Sequence, residues 1–271
     1  MQTPNAVETT VIRGIPVRKG PAREACFRVV EENTALEARA DPSVEPGKDM
    51  CDANRRNKLH THMHNEMQSI EIAAQCLVDF PEAPWELRME LARQCWDESR
   101  HARLLYRRLR EIGGRKGEFP VMHFEWSITC LQDSLAARLA IQNRTFEGGE
   151  IDILKVDAQM WRDGGDEVTA DLIEGILSDE LHHVRFANRW LKRLTKENPA
   201  NLLKVVKGLA FMKRVLTAYS PVGPELNSAE ARIQQTAMKS PTNVEDRRLA
   251  EFSEQEIADL LRRDGFGELV R

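Results

Sequence analysis

The chain has 271 residues, with 39 Lys and Arg against 43 Asp and Glu, and the resulting net charge of −4 argues against a dedicated nucleic-acid binder. With 41% hydrophobic and 30% charged residues it can bury a sizeable core, and no apolar run approaches the roughly 18 residues of a membrane span. The five cysteines, Cys26, Cys51, Cys76, Cys95 and Cys130, are odd in number and form no C-x-x-C, a pattern that fits reduced thiols better than a disulfide framework or a zinc-thiolate site. The first twenty residues hold no apolar block of signal-peptide type, so the expected location is cytoplasmic, with no membrane partner.

Residues 1–53 are interrupted by Pro4, Pro16, Pro21, Pro42 and Pro46 and read as an N-terminal arm with one short helix over Glu24–Ala40. Leu59, Met63, Ile70, Ala73, Leu77 and Phe80 then recur at three- and four-residue steps. This spacing predicts a helix from about Asn54 to Phe80, ended by Pro81 and Pro84. A second helix follows from Trp85 to about Ile112, where Gly113-Gly114 stop it. The third is expected from near His123 to Asp163, kinked at Gly148-Gly149, each of which costs about 1 kcal/mol relative to Ala. A fourth runs from about Asp166 to Lys196. Residues 198–271 read as a C-terminal helical extension, with helices over Leu202–Ala218 and Glu254–Arg263. Nothing reads as a strand, so the fold class is all-α: a four-helix bundle over 54–197 with additional N- and C-terminal helices.

Six of the seven histidines, His60, His62, His64, His101, His182 and His183, fall in three tight places beside glutamates. Glu98-Ser-Arg-His101 and Glu180-Leu-His-His183 share the form Glu-x-x-His, which puts a carboxylate and an imidazole on one helix face. Glu66 precedes Glu98 by 32 residues (98 − 66) with the Pro81–Pro84 turn midway. Glu147 precedes Glu180 by 33 (180 − 147) with Gly164-Gly165 near the midpoint. Folding each hairpin brings its two glutamates to the same height, so the chain is a pseudo-repeat of two Glu-turn-Glu-x-x-His units. Packing them together would assemble four carboxylates and two imidazoles, the ligand set of di-iron and di-manganese carboxylate bundles. Oxygen and nitrogen donors without thiolates suit Fe or Mn.

Asn65–Ile70 and Asp97–Ala102 resemble the first two ligand helices of bacterioferritins and related ferritin-like proteins. The segments His64–Met67, Glu98–Leu105, Glu147–Asp152 and Asp179–Val184, with Asn188-Arg189-Trp190 behind, are similar to a ferritin-like family catalogued mainly as a domain of unknown function. The likeness covers about residues 55–195. It implies a ferritin-like bundle with Glu66, Glu98, His101, Glu147, Glu180 and His183 as metal ligands, the set the hairpin spacing also selects. Glu147-Gly148-Gly149-Glu150 departs from the ordinary helical sequence at that point.

The neighbours divide. His62, one turn before Glu66, is either an extra ligand or a hydrogen-bond partner of a ligand carboxylate, and Glu150 is either an extra carboxylate or an exposed helix residue. Asp97 and Asp179 are candidates to orient imidazoles or else plain surface carboxylates. Glu71 is a weaker competitor of Glu66, His60 and His64 are expected on the polar face, and His123 and His182 are expected to be structural. Met67, Ile70, Trp96 and Leu177 are candidates to shape a pocket. Glycines directly after Glu147 suggest a bulge or a close approach that opens space beside the metals, with a plain helix break as the competing explanation.

The expected function is a non-haem dinuclear iron oxidase or oxygenase. It would use two Fe ions, with Fe/Mn as a variant, and O2 as co-substrate to oxidise a C–H or N–H bond of a small organic substrate with the help of an electron donor. A homodimer is compatible with it. The alternatives are a ferroxidase that handles iron, an RNA-modifying hydroxylase, which the acidic charge disfavours, and a helical scaffold with empty Glu/His sets.

Overall fold

The structure, a computed structural model, describes residues 7–12, 14–30, 51–219 and 240–263. It opens with a hairpin, β1 (Thr9–Ile12) and β2 (Ile15–Arg18), antiparallel with Thr9 opposite Arg18 and Ile12 opposite Ile15. The expectation of no strand is corrected here. β-branched residues alternate across the turn, Gly14 takes a φ of +80° that the reversal requires, and the hairpin buries Ile12 and Val17. No further strand occurs among the described residues. The helix expected over Glu24–Ala40 is also corrected: Glu24–Val30 form a turn and an extended stretch in which Val29 bridges Val121, and residues 31–40 lie outside the described residues. Ordering these residues against another segment outweighs their helical spacing.

The helices are α1 (Asp52–Asp79), α2 (Trp85–Glu111), α3 (Phe124–Thr129), α4 (Leu135–Ile141), α5 (Gly148–Asp163), α6 (Glu167–Glu197), α7 (Ala200–Tyr219), α8 (Val244–Leu249) and α9 (Glu254–Arg263). The chain is therefore mostly helical, in keeping with the all-α class. No helix among the described residues is long and apolar enough to cross a membrane. The helices at 54–80, 85–112 and 166–196 stand within two residues of their expected ends. The single third helix does not: it is divided into α3, α4 and α5, with a π-helical turn over Gln142–Glu147 directly before Gly148. The helix α8 has no counterpart in the sequence reading, because six residues are too short for a periodic signal.

Two compact units share the chain, one made of Met1–Arg138 with Leu203–Tyr219, the other of Leu139–Leu202 with Ser220–Arg271. In the first, α1 and α2 form an antiparallel hairpin turned at Pro81–Pro84, with Leu59, Met63, Ile72, Leu87, Leu91, Leu105 and Leu109 in its core. In the second, α5 and α6 form a hairpin turned at Gly164-Gly165, with Ile151, Trp161, Ile173, Ile176 and Val184 in its core. Both α2 and α5 stop on a glycine with positive φ, Gly113 and Gly165. The amide three residues past each helix folds back, Gly114 N–H to Leu109 C=O at 2.8 Å and Asp166 N–H to Trp161 C=O at 2.9 Å. Asp166 then caps α6, its side chain accepting from the Thr169 N–H at 3.0 Å.

Candidate metal centres

The hairpin of the first unit buries polar side chains that an apolar core would exclude. On α1, His60, His64, Glu66 and Gln68 are at most 3% exposed, and on α2 Gln94, Glu98 and His101 are at most 1% exposed. Burying so many polar groups costs stability unless each is paired or binds a ligand. Glu66, Glu98 and His101 each offer one ligand atom, and those atoms lie within 4.8 Å of one another. His101 Nδ1 is 3.2 Å from Glu98 Oε2 and 3.4 Å from Glu66 Oε2. Gln94 Nε2 donates to Glu98 Oε1 at 3.2 Å. His62 Nε2 is 2.7 Å from Glu66 Oε1, so of its two expected roles the structure shows the hydrogen-bonding one. Burial alone would raise the Glu66 carboxyl, but hydrogen bonds from His101 and His62 and their charges outweigh it and hold Glu66 well below the usual carboxylate range.

The second unit repeats the arrangement. Glu147, Glu180 and His183, each no more than 1% exposed, bring ligand atoms within 4.8 Å of one another. His183 Nδ1 is 3.2 Å from Glu180 Oε2, matching the Glu98–His101 distance, and Glu180 Oε1 is a buried atom that accepts no hydrogen bond among the described residues. Here the second carboxylate is held by amides: Asn143 Nδ2 donates to Glu147 Oε2 at 2.8 Å and Gln142 Nε2 to Oε1 at 3.5 Å. Burial and then the charge of Glu180 push Glu147 up to about 8, against the opposing pull of His183, Asn143 and Gln142.

The remaining expectations sort as follows. Glu150 and Asp179 are half-buried. Asp97 is buried and takes Arg93 at 3.4 Å and Arg100 at 3.3 Å from its own helix. Glu71 is taken by Arg23 through two bonds of 2.5 and 2.6 Å, which removes it from competition with Glu66. His60 and His64, expected on a polar face, are buried instead, because the N-terminal segment covers that side of α1. Phe27 packs against both rings, Gly117 N–H donates to His60 Nε2 at 2.9 Å, and Arg23 Nε donates to His64 Nε2 at 3.3 Å. Trp96, a candidate to shape a pocket, is 70% exposed on α2. The bulge expected beside the glycine pair is present as the π turn that ends on Glu147, and the close approach falls at Gly148. A Cβ on Gly148 would meet Arg247 Nη1 at 3.0 Å, so that glycine admits an arginine of the C-terminal segment, while one on Gly149 would meet nothing within 4 Å.

Each group supplies two carboxylates and one imidazole, hard donors that fit a divalent transition metal, and a cation would compensate the charge the burial penalises. Fold and site thus define a mostly helical protein with buried Glu/His groups able to hold metal. The chain belongs to a family described as "Protein of unknown function (DUF455)", whose model matches residues 6–258. No curated protein and no solved structure matches the chain significantly.

Proposed function

We propose that the two Glu-Glu-His groups are the halves of one dinuclear non-haem iron centre in a ferritin-like bundle, and that the protein is an O2-dependent oxidase or oxygenase of a small organic substrate. The observation that carries this reading is the repetition: in both hairpins a Glu-x-x-His imidazole presents Nδ1 at 3.2 Å from its own glutamate, and a second buried carboxylate comes from the other side. When bound, two iron ions in such a set supply the electrons that reduce O2. Glu66, Glu98 and His101 would hold one half and Glu147, Glu180 and His183 the other, with either iron replaceable by manganese. His62 and Asn143 fix the orientation of Glu66 and Glu147, and the apolar residues around both groups keep water from the carboxylates. The π turn that ends on Glu147 supports a catalytic role over simple storage, because such turns are costly and concentrate at functional sites.

The test is O2 uptake by Fe(II)-loaded protein with and without a panel of small organic amines and alcohols plus a reductant. Turnover of O2 accelerated by at least one class, with oxidised product by mass spectrometry, is expected. Uptake that stops once the bound Fe(II) is oxidised, together with a cage-sized particle holding hundreds of irons, would establish the ferroxidase reading instead.

A further inference from the structure

The C-terminal residues 240–263 grip the stretch of chain that carries Glu147. Arg247 of α8, 4% exposed, forks onto Asp152 of α5 at 3.2 and 2.7 Å, and the Asn243 N–H donates to the same carboxylate at 2.8 Å. The guanidinium runs along the helix at Gly148, where only glycine admits it without displacement. On the other side of Glu147, Arg144 of the π turn bonds Asn188 of α6 and Glu256 of α9. Asn188 in turn donates to the Ala250 C=O at 2.7 Å. Both guanidinium groups, Arg144 and Arg247, lie 4.7 Å from the centroid of the Phe252 ring. The turn is thus tied three residues before Glu147, at Arg144, and again five residues after it, at Asp152.

A π turn accommodates an extra residue and is less favourable than α-helix, so it persists only where its surroundings hold it. A slip of one residue back to α geometry would rotate Glu147 by about 100° about the helix axis and take its carboxylate away from Glu180 and His183. There is room for such a change, because a cavity of about 390 Å³ lies beside the turn, lined by Arg144, Gly149, Arg247 and Phe252 among others. From these contacts we propose that Arg247, acting with Arg144 and Phe252, positions Glu147 as a metal ligand by locking the π turn, so that the C-terminal segment completes the second unit's metal group without touching it. The proposal rests on the reading of Glu147 as a ligand.

The experiment is anaerobic titration of the metal-free full chain with Co(II), read by visible absorption and by isothermal calorimetry. The variants are Arg247→Ala, Arg247→Lys and the control Arg189→Ala, which removes the exposed pair with Glu251 and leaves Arg247 and Asp152 in place. The expected result is that Arg247→Ala weakens one of two Co(II) equivalents by about 10- to 100-fold and changes its visible spectrum, with the other equivalent unchanged. Arg247→Lys, which keeps the charge but loses the fork, should fail to restore it, and Arg189→Ala should bind as the parent. If Arg247→Ala does not fold, Gly148→Ala, whose Cβ displaces the guanidinium by a few tenths of an ångström, should weaken the same equivalent to a smaller extent. A folded Arg247→Ala, or failing that a Gly148→Ala, that binds both equivalents like the parent overturns the positioning role and leaves the ligand reading standing. A parent chain that binds no Co(II) instead overturns the ligand reading itself.

Discussion

The two hairpins carry the same ligand triplet but treat the carboxylate outside the Glu-x-x-His pair in opposite ways. One turn before Glu66 stands His62, and one turn before Glu147 stands Asn143. Both reach the carboxylate, at 2.7 and 2.8 Å, yet only the histidine can bring a positive charge. Glu66 is held as an anion by His101 and then His62, while burial and the charge of Glu180 hold Glu147 toward its protonated form at neutral pH. The lesson is that identical donors on a repeated scaffold can be tuned apart by what contacts them. In the metal-free protein Glu147 keeps a proton that a cation would displace.

The largest expected effect comes from removing a shared-role ligand on each side. Glu98→Ala and Glu180→Ala should each weaken metal binding by more than about 100-fold, since even the partners of ligands cost 10- to 100-fold. Equilibrium dialysis with metal analysis checks this. Full retention in both variants would break the equivalence of the hairpins.

The next effect is in stability of the metal-free protein, and its sign differs between units. Burial lowers His60 and His123, both in the first unit, to about 4. Their neutral forms favour the folded state above the unfolded value near 6.5, and that contribution is lost as pH falls toward 4, up to about 3 kcal/mol for each. Glu66, held low, adds to the loss at acid pH. Glu147 works the other way. Its folded value lies above its unfolded one, so the stability it contributes is present below about 4.5 and is lost as pH rises through about 8. Hydrogen exchange should therefore show the α1–α2 hairpin loosening first in acid and the α5–α6 hairpin loosening first at mildly alkaline pH, with metal abolishing the second effect. The same order of loosening in both directions would contradict the comparison.

Exchanging the distinguishing neighbours should produce a smaller and reciprocal change. His62→Asn should move metal uptake by the first group to higher pH, and Asn143→His should move uptake by the second to lower pH, each by about tenfold in affinity at pH 6. Titrations of the two variants at pH 6 and 8 read this directly. Smallest is the helix cap: α6 has Asp166 at its N-cap, whereas α2 follows Pro84 with no side-chain cap. Asp166→Ala should cost about 1 kcal/mol in thermal unfolding, with both metal equivalents kept.

Much of this comparison is legible in the sequence. The Glu-x-x-His spacing, the 32- and 33-residue separations and the Pro and Gly turns select six residues, and the structure gathers them into two triplets of the expected membership. Helical period and end signals suffice there because α1, α2 and α6 are continuous and strongly punctuated, while the divided third element still ends at Gly164-Gly165. Where long-range packing decides, the sequence is mute. His60 and His64 sit on what looks like a polar face until Phe27 and Arg23, more than thirty residues away, cover it. Gly148 looks like space for a ligand until Arg247, 99 residues later (247 − 148), fills it. The hairpin Thr9–Arg18 is the one omission that local signals would have found, since Thr-Thr-Val-Ile and Ile-Pro-Val-Arg flank a two-residue turn ending in glycine.

The most direct measurement of the central claim is the iron content of the full chain after anaerobic loading with Fe(II) and removal of unbound metal, followed by Mössbauer spectroscopy. Two irons per chain with the signature of a coupled pair once oxidised is the result expected here. Fewer than about one iron per chain, or two that stay magnetically independent, would contradict it.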